Sequence, residues 1–137
     1  MERENINVER ESIIEMQDFY SILYQKYGVI PPDKFDQDWR FTAGDSENTE
    51  NYIDFYHKNI LSVHQKKEMM NMIIQGFDDL IAEGRESVLL EQIWNKIKTI
   101  LVAEKQLYYQ DIIYWSCLDT ELEEDRFYVS KYMRELL

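Results

Sequence analysis

Residues 62–84, SVHQKKEMMNMIIQGFDDLIAEG, carry the clearest helix signal in the chain. Ser62 and Gln65 have the spacing of a capping box, in which each side chain takes up an otherwise unpaired backbone N–H. Gly84 suits the left-handed conformation that ends a helix. Five apolar residues recur between these ends at helical spacing: Met70, Ile73, Ile74, Phe77 and Leu80. We therefore predict one complete core helix, and we expect Gly76 on its flank to let another helix approach closely.

The chain before this helix predicts two more. Residues 6–27 keep a helical apolar period, which Gly28 and the Pro31-Pro32 pair end because proline cannot continue a helix. Thr49 suits the N-cap of a second helix that runs to about residue 61.

The chain after Gly84 is helical again. Ser87 suits the cap of a helix from about residue 88, and the apolar period continues to residue 118. A periodic run of that length is unusual in a globular domain, so we predict a break or kink at Glu104-Lys105. Ser130 is expected to cap a short terminal helix.

Residues 28–48 lack a helical period, and we predict an ordered connection pinned by Phe35, Trp39 and Phe41. The whole pattern predicts an all-α fold. We expect residues 1–137 to form a single-domain helical bundle of four to six helices, with this long loop and a short C-terminal helix.

The formal net charge of −12 is the most informative total. A field of that sign repels nucleic acid and anionic lipid, and it speeds encounter with a basic partner. An acidic excess also serves solubility, so the charge alone does not establish binding. Residues 119–125 hold five acids and no base, and we expect a solvated loop there because negative charge is unfavourable at a helix C-terminus.

Cysteine content and apolar runs indicate the compartment. Cys117 is the single cysteine, and its apolar surroundings predict a small buried side chain in a reducing cytoplasm. The first residues, MERENINVERES, are too polar for a signal peptide, and no apolar run approaches the roughly 18 residues of a membrane span. We therefore expect a cytoplasmic protein without membrane contact.

The residues that could support catalysis are few. Asp54 and His57 have the carboxylate-x-x-His spacing of helical di-metal sites, but no second copy of that pattern occurs. The four glycines are not clustered, so a phosphate-binding loop is not indicated. We expect no enzyme, no metal and no cofactor, and we keep a metal-dependent helical-bundle enzyme using Asp54 and His57 as an alternative.

Ten tyrosines and three tryptophans supply candidate interface anchors. Trp94 and Trp115 keep the helical period and are expected in the core, whereas Trp39 lies among acids and the adjacent Tyr108 and Tyr109 cannot face the same side of a helix. We predict a partner-binding surface composed of such aromatic residues and the acids near them, namely Asp36, Asp38, Trp39, Tyr108, Tyr109, Asp111, Asp119, Glu121, Glu123, Glu124 and Asp125.

The stretches NYIDFYHKNILSVHQKKEMMNMIIQGFDDLIAEG and DIIYWSCLDTELEEDRFYVSKYMRELL resemble the small acidic immunity proteins of bacterial toxin–immunity pairs. In the helical colicin-type members, tyrosines and carboxylates on a helix carry recognition, and Tyr108, Tyr109 and Asp111 are of those types. The proline that follows that family's tyrosine pair is missing here. The resemblance implies a non-enzymatic protein that neutralises a basic cognate toxin domain.

A different class remains open beside this one. An acidic protein can also imitate DNA and block a restriction or CRISPR nuclease, as inhibitors from phages or mobile elements do. That function requires rows of carboxylates at phosphate-like spacing.

Overall fold

The computed structural model describes residues 13–33 and 39–137, and within them every regular element is helical. The predicted all-α bundle is confirmed. The α-helices are α1 (Met16–Tyr27), α2 (Trp39–Thr42), α3 (Thr49–Lys58), α4 (Val63–Ala82), α5 (Ser87–Ala103), α6 (Lys105–Ser116) and α7 (Ser130–Arg134). Single 3-10 turns occur at Ser46–Asn48 and Glu123–Asp125. Among the helices described, none is long and apolar enough to cross a membrane.

Helix α4 is the centre of the fold, and its ends match the predictions. The Ser62 hydroxyl accepts a hydrogen bond from the Gln65 amide at 3.1 Å, and the Ser62 amide donates to the Gln65 side chain at 3.0 Å. Gly84 takes a left-handed φ of 72° just beyond the helix. All of residues 69–74 are buried, so α4 has neighbours on every side and not only along one apolar face.

Two glycines allow the chain before α3 to pack directly on α4. A Cβ atom at Gly76 would collide with the Thr49 hydroxyl and lie 2.9 Å from the Asp45 carbonyl oxygen. One at Gly44 would lie 3.1 Å from the Cα of Met72. The close approach expected at Gly76 is therefore confirmed, and Gly44 is a second contact that the sequence pattern did not reveal.

Helix α1 ends as predicted, with Gly28 at a φ of 72°. Residues 6–12 of the predicted helix lie outside the described residues, and residues 13–15 are not helical. The predicted non-helical connection of residues 28–48 in fact contains α2 and the 3-10 turn at Ser46–Asn48. Trp39 pins it as expected, because its indole N–H donates to the Ile30 carbonyl at 2.7 Å and its ring packs edge-on against Tyr20 at 5.0 Å. Phe35 and the side chain of Phe41 lie outside the described part.

The predicted break between α5 and α6 is confirmed at Glu104, whose φ of −122° and ψ of 45° are not helical. Three predicted helix caps are wrong. Ser87 and Thr49 are the first helical residues of α5 and α3 and not their caps. The Ser130 hydroxyl donates to the Trp115 carbonyl at 2.7 Å and does not cap α7.

Candidate partner-binding surface

The acidic connection, residues 117–129, links α6 to α7. Its carboxylates all belong to exposed residues, namely Asp119, Glu121, Glu123, Glu124 and Asp125. Among the residues that the structure describes, no ion pair engages any of these five acids. The predicted solvated segment is thus found, and a 3-10 turn at Glu123–Asp125 gives part of it regular structure.

Two arginines fix the backbone of the acidic connection. The Arg126 guanidinium donates to the carbonyls of Thr120 at 2.7 Å and Glu121 at 3.0 Å. The Arg134 guanidinium donates to the Ser116 carbonyl at 2.7 Å and to the Cys117 carbonyl at 2.6 Å, where α6 ends. Because these cations bind main-chain oxygens, the neighbouring carboxylates keep their negative charge exposed.

The far end of the acidic connection is fastened to α4. The buried carboxylate of Asp78 accepts a hydrogen bond from the Val129 amide at 2.9 Å. Burial raises the pKa of Asp78, the Val129 amide opposes that shift, and the charge of Asp79 adds to it. The acidic connection is therefore held to the core at both ends.

A groove of about 720 Å³ opens between the acidic connection, the end of α4 and α7. Leu122 and Tyr128 line it, and each is 59% exposed. Five charged residues also line the groove, namely Glu123, Glu124, Arg126, Lys131 and Arg134, and the two arginines are bound to main-chain carbonyls. Large apolar side chains exposed next to free carboxylates are the combination expected of a protein-binding surface.

Three of the predicted binding residues are not at the surface. Trp39, Tyr108 and Asp111 are at most 5% exposed, so the prediction that their side chains form a partner-facing surface is wrong. The Asp111 carboxylate binds the Lys67 ammonium at 2.5 Å and the Asn71 amide at 3.0 Å.

The buried side chains of Tyr108 and Trp39 also contact other residues inside the bundle. The Tyr108 and Tyr56 hydroxyls lie 2.5 Å apart, and burial is the main cause that raises the pKa of both. Trp39 is held by the Ile30 carbonyl and the Tyr20 ring described above. Each of these side chains joins helices inside the bundle, so none is free to meet a partner.

Of the remaining predicted residues, Tyr109 is on the surface with 49% of its area exposed. Asp36 and Asp38 lie outside the described residues. Leu122 and Tyr128 were not among the predicted binding residues, although large apolar residues within or just after a run of acids can indicate a contact surface.

The side chains considered for catalysis are also placed. Asp54 and His57 are exposed, and the described residues contain no group of three or more His, Cys, Asp or Glu that could hold a metal ion. Cys117 is only partly buried, which corrects the expectation of a buried thiol, and it takes a left-handed φ of 50° at the end of α6.

A scan against protein-family models, a search of curated proteins and a search of solved structures each found no match for this chain. The surface formed by the acidic connection and its groove is therefore the basis for assigning a function.

Proposed function

We propose that this protein is a non-enzymatic binding protein that neutralises a basic toxin domain, and that it does so through the acidic connection and the groove beside it. The observation that supports the proposal is the acidic connection, in which five exposed carboxylates occur on the same short segment as the exposed side chains of Leu122 and Tyr128. The backbone beneath them is held by Arg126 and Arg134.

Charge and apolar surface have separate roles in such a complex. The net charge of −12 speeds the encounter with a basic protein, and free carboxylates near the contact orient it. Buried apolar anchors then slow dissociation, because separating the partners exposes apolar surface to water again. Both features occur together at this surface.

The direct test takes as its partner a basic toxin domain encoded by a neighbouring gene, and a neighbourhood without such a gene would count against the proposal. Co-expression should restore the growth of cells that produce the toxin domain, and the two purified proteins should elute together from a sizing column. The proposal would be contradicted if co-expression left cell death unchanged and the two purified proteins eluted separately.

A matched pair of variants tests the surface. Glu121→Gln, Glu123→Gln and Glu124→Gln together should slow association with the toxin domain by about ten-fold at low salt and flatten its salt dependence. The control carries Glu47→Gln, Glu86→Gln and Glu91→Gln, which change the net charge equally at exposed positions elsewhere. Equal slowing by both sets would mean that only total charge matters.

Competition with DNA in the same complex distinguishes a DNA mimic from an inhibitor that binds elsewhere on the toxin domain. A duplex oligonucleotide that displaces this protein from a nuclease domain would place the contact on the nuclease's DNA-binding face. Inhibition that persists in excess oligonucleotide would point to a contact elsewhere on the toxin.

A further inference from the structure

Helix α6 has one buried face and, opposite to it, an exposed face without charged residues. Its inner face, Tyr108, Ile112 and Trp115, is at most 1% exposed and packs in the core. Its outer face spans about 140° of the helix, since successive residues are about 100° apart. That face consists of Gln106, Tyr109, Gln110, Ile113 and Tyr114, all exposed except the partly buried Ile113.

The outer face of α6 also lacks charge. Asp111 is the one charged residue within 106–118, and it is buried beside Lys67. Charged residues make up 31% of the chain, so a surface segment of this length would ordinarily carry about four. Tyr109 and Tyr114 are 49% and 47% exposed on this face. Depletion of charge with enrichment of tyrosine is the composition of an interface centre.

The outer face of α6 adjoins the acidic connection. The ring of Tyr114 lies 5.7 Å from that of Phe127, and Phe127 lines the groove beside Glu123 and Glu124. An uncharged face thus adjoins the segment that holds five exposed carboxylates, and Lys131 with the two carbonyl-bound arginines lines the same groove. Specific protein interfaces have this anatomy, with a desolvated centre and a polar rim.

We infer that the outer face of α6 is the centre of the interface with the basic partner, with Tyr109 as its anchor and the acidic connection as its rim. The inference rests on the proposed function and specifies the partner as a protein face with an apolar centre bordered by lysine or arginine. A second copy of this chain is a poorer occupant, because packing α6 on α6 would bring two acidic connections and two charges of −12 together.

Binding kinetics with a basic toxin domain that forms a complex with this protein test this assignment. Tyr109→Ala should speed dissociation by about ten-fold and leave the association rate and its salt dependence unchanged. Tyr24→Ala is the control, since Tyr24 is 57% exposed on α1. Tyr109→Ala that dissociates at the rate of the unaltered protein overturns the inference.

A photo-crosslinking residue in place of Gln110 gives a second readout that does not depend on how a variant affects stability. It should crosslink to the toxin domain, whereas the same residue in place of the exposed Gln17 on α1 should not. Crosslinking between two copies of this chain, or none at position 110 in a complex that forms, overturns the inference while the proposed function stands. Failure of any complex to form overturns both.

Discussion

Polar side chains have opposite environments in helix α4 and in the acidic connection. In α4, charged and amide side chains turn inward and find partners, as Lys67 and Asn71 do with Asp111. In the acidic connection the main chain is satisfied by Arg126, Arg134 and Asp78, and the acidic side chains stay exposed. The difference separates the two tasks of the molecule: α4 supplies stability, and the acidic connection displays charge.

The largest effect should come from filling the close contact on α4. Gly76→Leu should lower the free energy of unfolding by about 3 kcal/mol, because the new side chain meets the Asp45 carbonyl and Thr49. Gly84→Ala, where nothing lies within 4 Å but φ is 72°, should cost only about 1 kcal/mol. Urea denaturation measures both, and equal losses would show that the contact at Gly76 is not tight.

Loosening the acidic connection should have a smaller effect. Arg134→Met removes two charged hydrogen bonds to the carbonyls of Ser116 and Cys117, and we expect a loss of about 2 kcal/mol. Amide exchange in residues 117–129 should quicken more than exchange in α4. Lys131→Met on the same helix is the control, since Lys131 is exposed, and its loss should stay below about 0.5 kcal/mol.

The pH dependence of stability should reflect the carboxyls that α4 buries. Burial is the leading cause that raises the pKa values of Asp78, Glu68 and Asp79. At pH values just above the ordinary carboxyl pKa near 4, the folded protein therefore binds more protons than the unfolded chain, so stability falls as pH rises through the raised pKa values.

Urea denaturation at pH 7, 6 and 5 tests this expectation. The free energy of unfolding should increase toward pH 5. Asp78→Asn should weaken the dependence and retain an oxygen for the Val129 amide. Asp54→Asn, at an exposed position on α3, is the control. A stability that rises with pH would contradict the assignment.

The smallest effect on stability belongs to the acidic connection's own carboxylates. Replacing Glu121, Glu123 and Glu124 with glutamine should change the free energy of unfolding by less than about 0.5 kcal/mol, since none is ion-paired among the described residues. The same variant should still bind the toxin domain more slowly. A large loss of stability would instead give these side chains a structural role.

Local signals in the sequence predicted much of the fold. The capping box at Ser62, the stop at Gly84 and the break at Glu104 each depend on residues within a few positions of one another. The failed caps at Thr49, Ser87 and Ser130 were local predictions too. Serine and threonine also bond to carbonyls, and the Ser130 hydroxyl binds the carbonyl of Trp115, fifteen residues away.

The candidate surface was harder to predict for a different reason. Helical period shows that Tyr108 and Tyr109 face apart, but α6 carries aromatic residues on both sides, so the period does not reveal which tyrosine is buried. Asp111 resembles a surface acid until Lys67, 44 positions away, is placed beside it. Tertiary contacts of this kind cannot be read from spacing.

The hydrogen bonds of Arg126 and Arg134 also affect the entropy of binding. An unrestrained loop loses conformational freedom when a partner captures it, at about 1–2 kcal/mol for each residue ordered. Here the backbone of residues 116, 117, 120 and 121 is already fixed by four guanidinium hydrogen bonds in the unbound protein. A partner that docks on this preorganised loop needs to restrict little beyond the side chains, so more of the contact energy remains available as affinity.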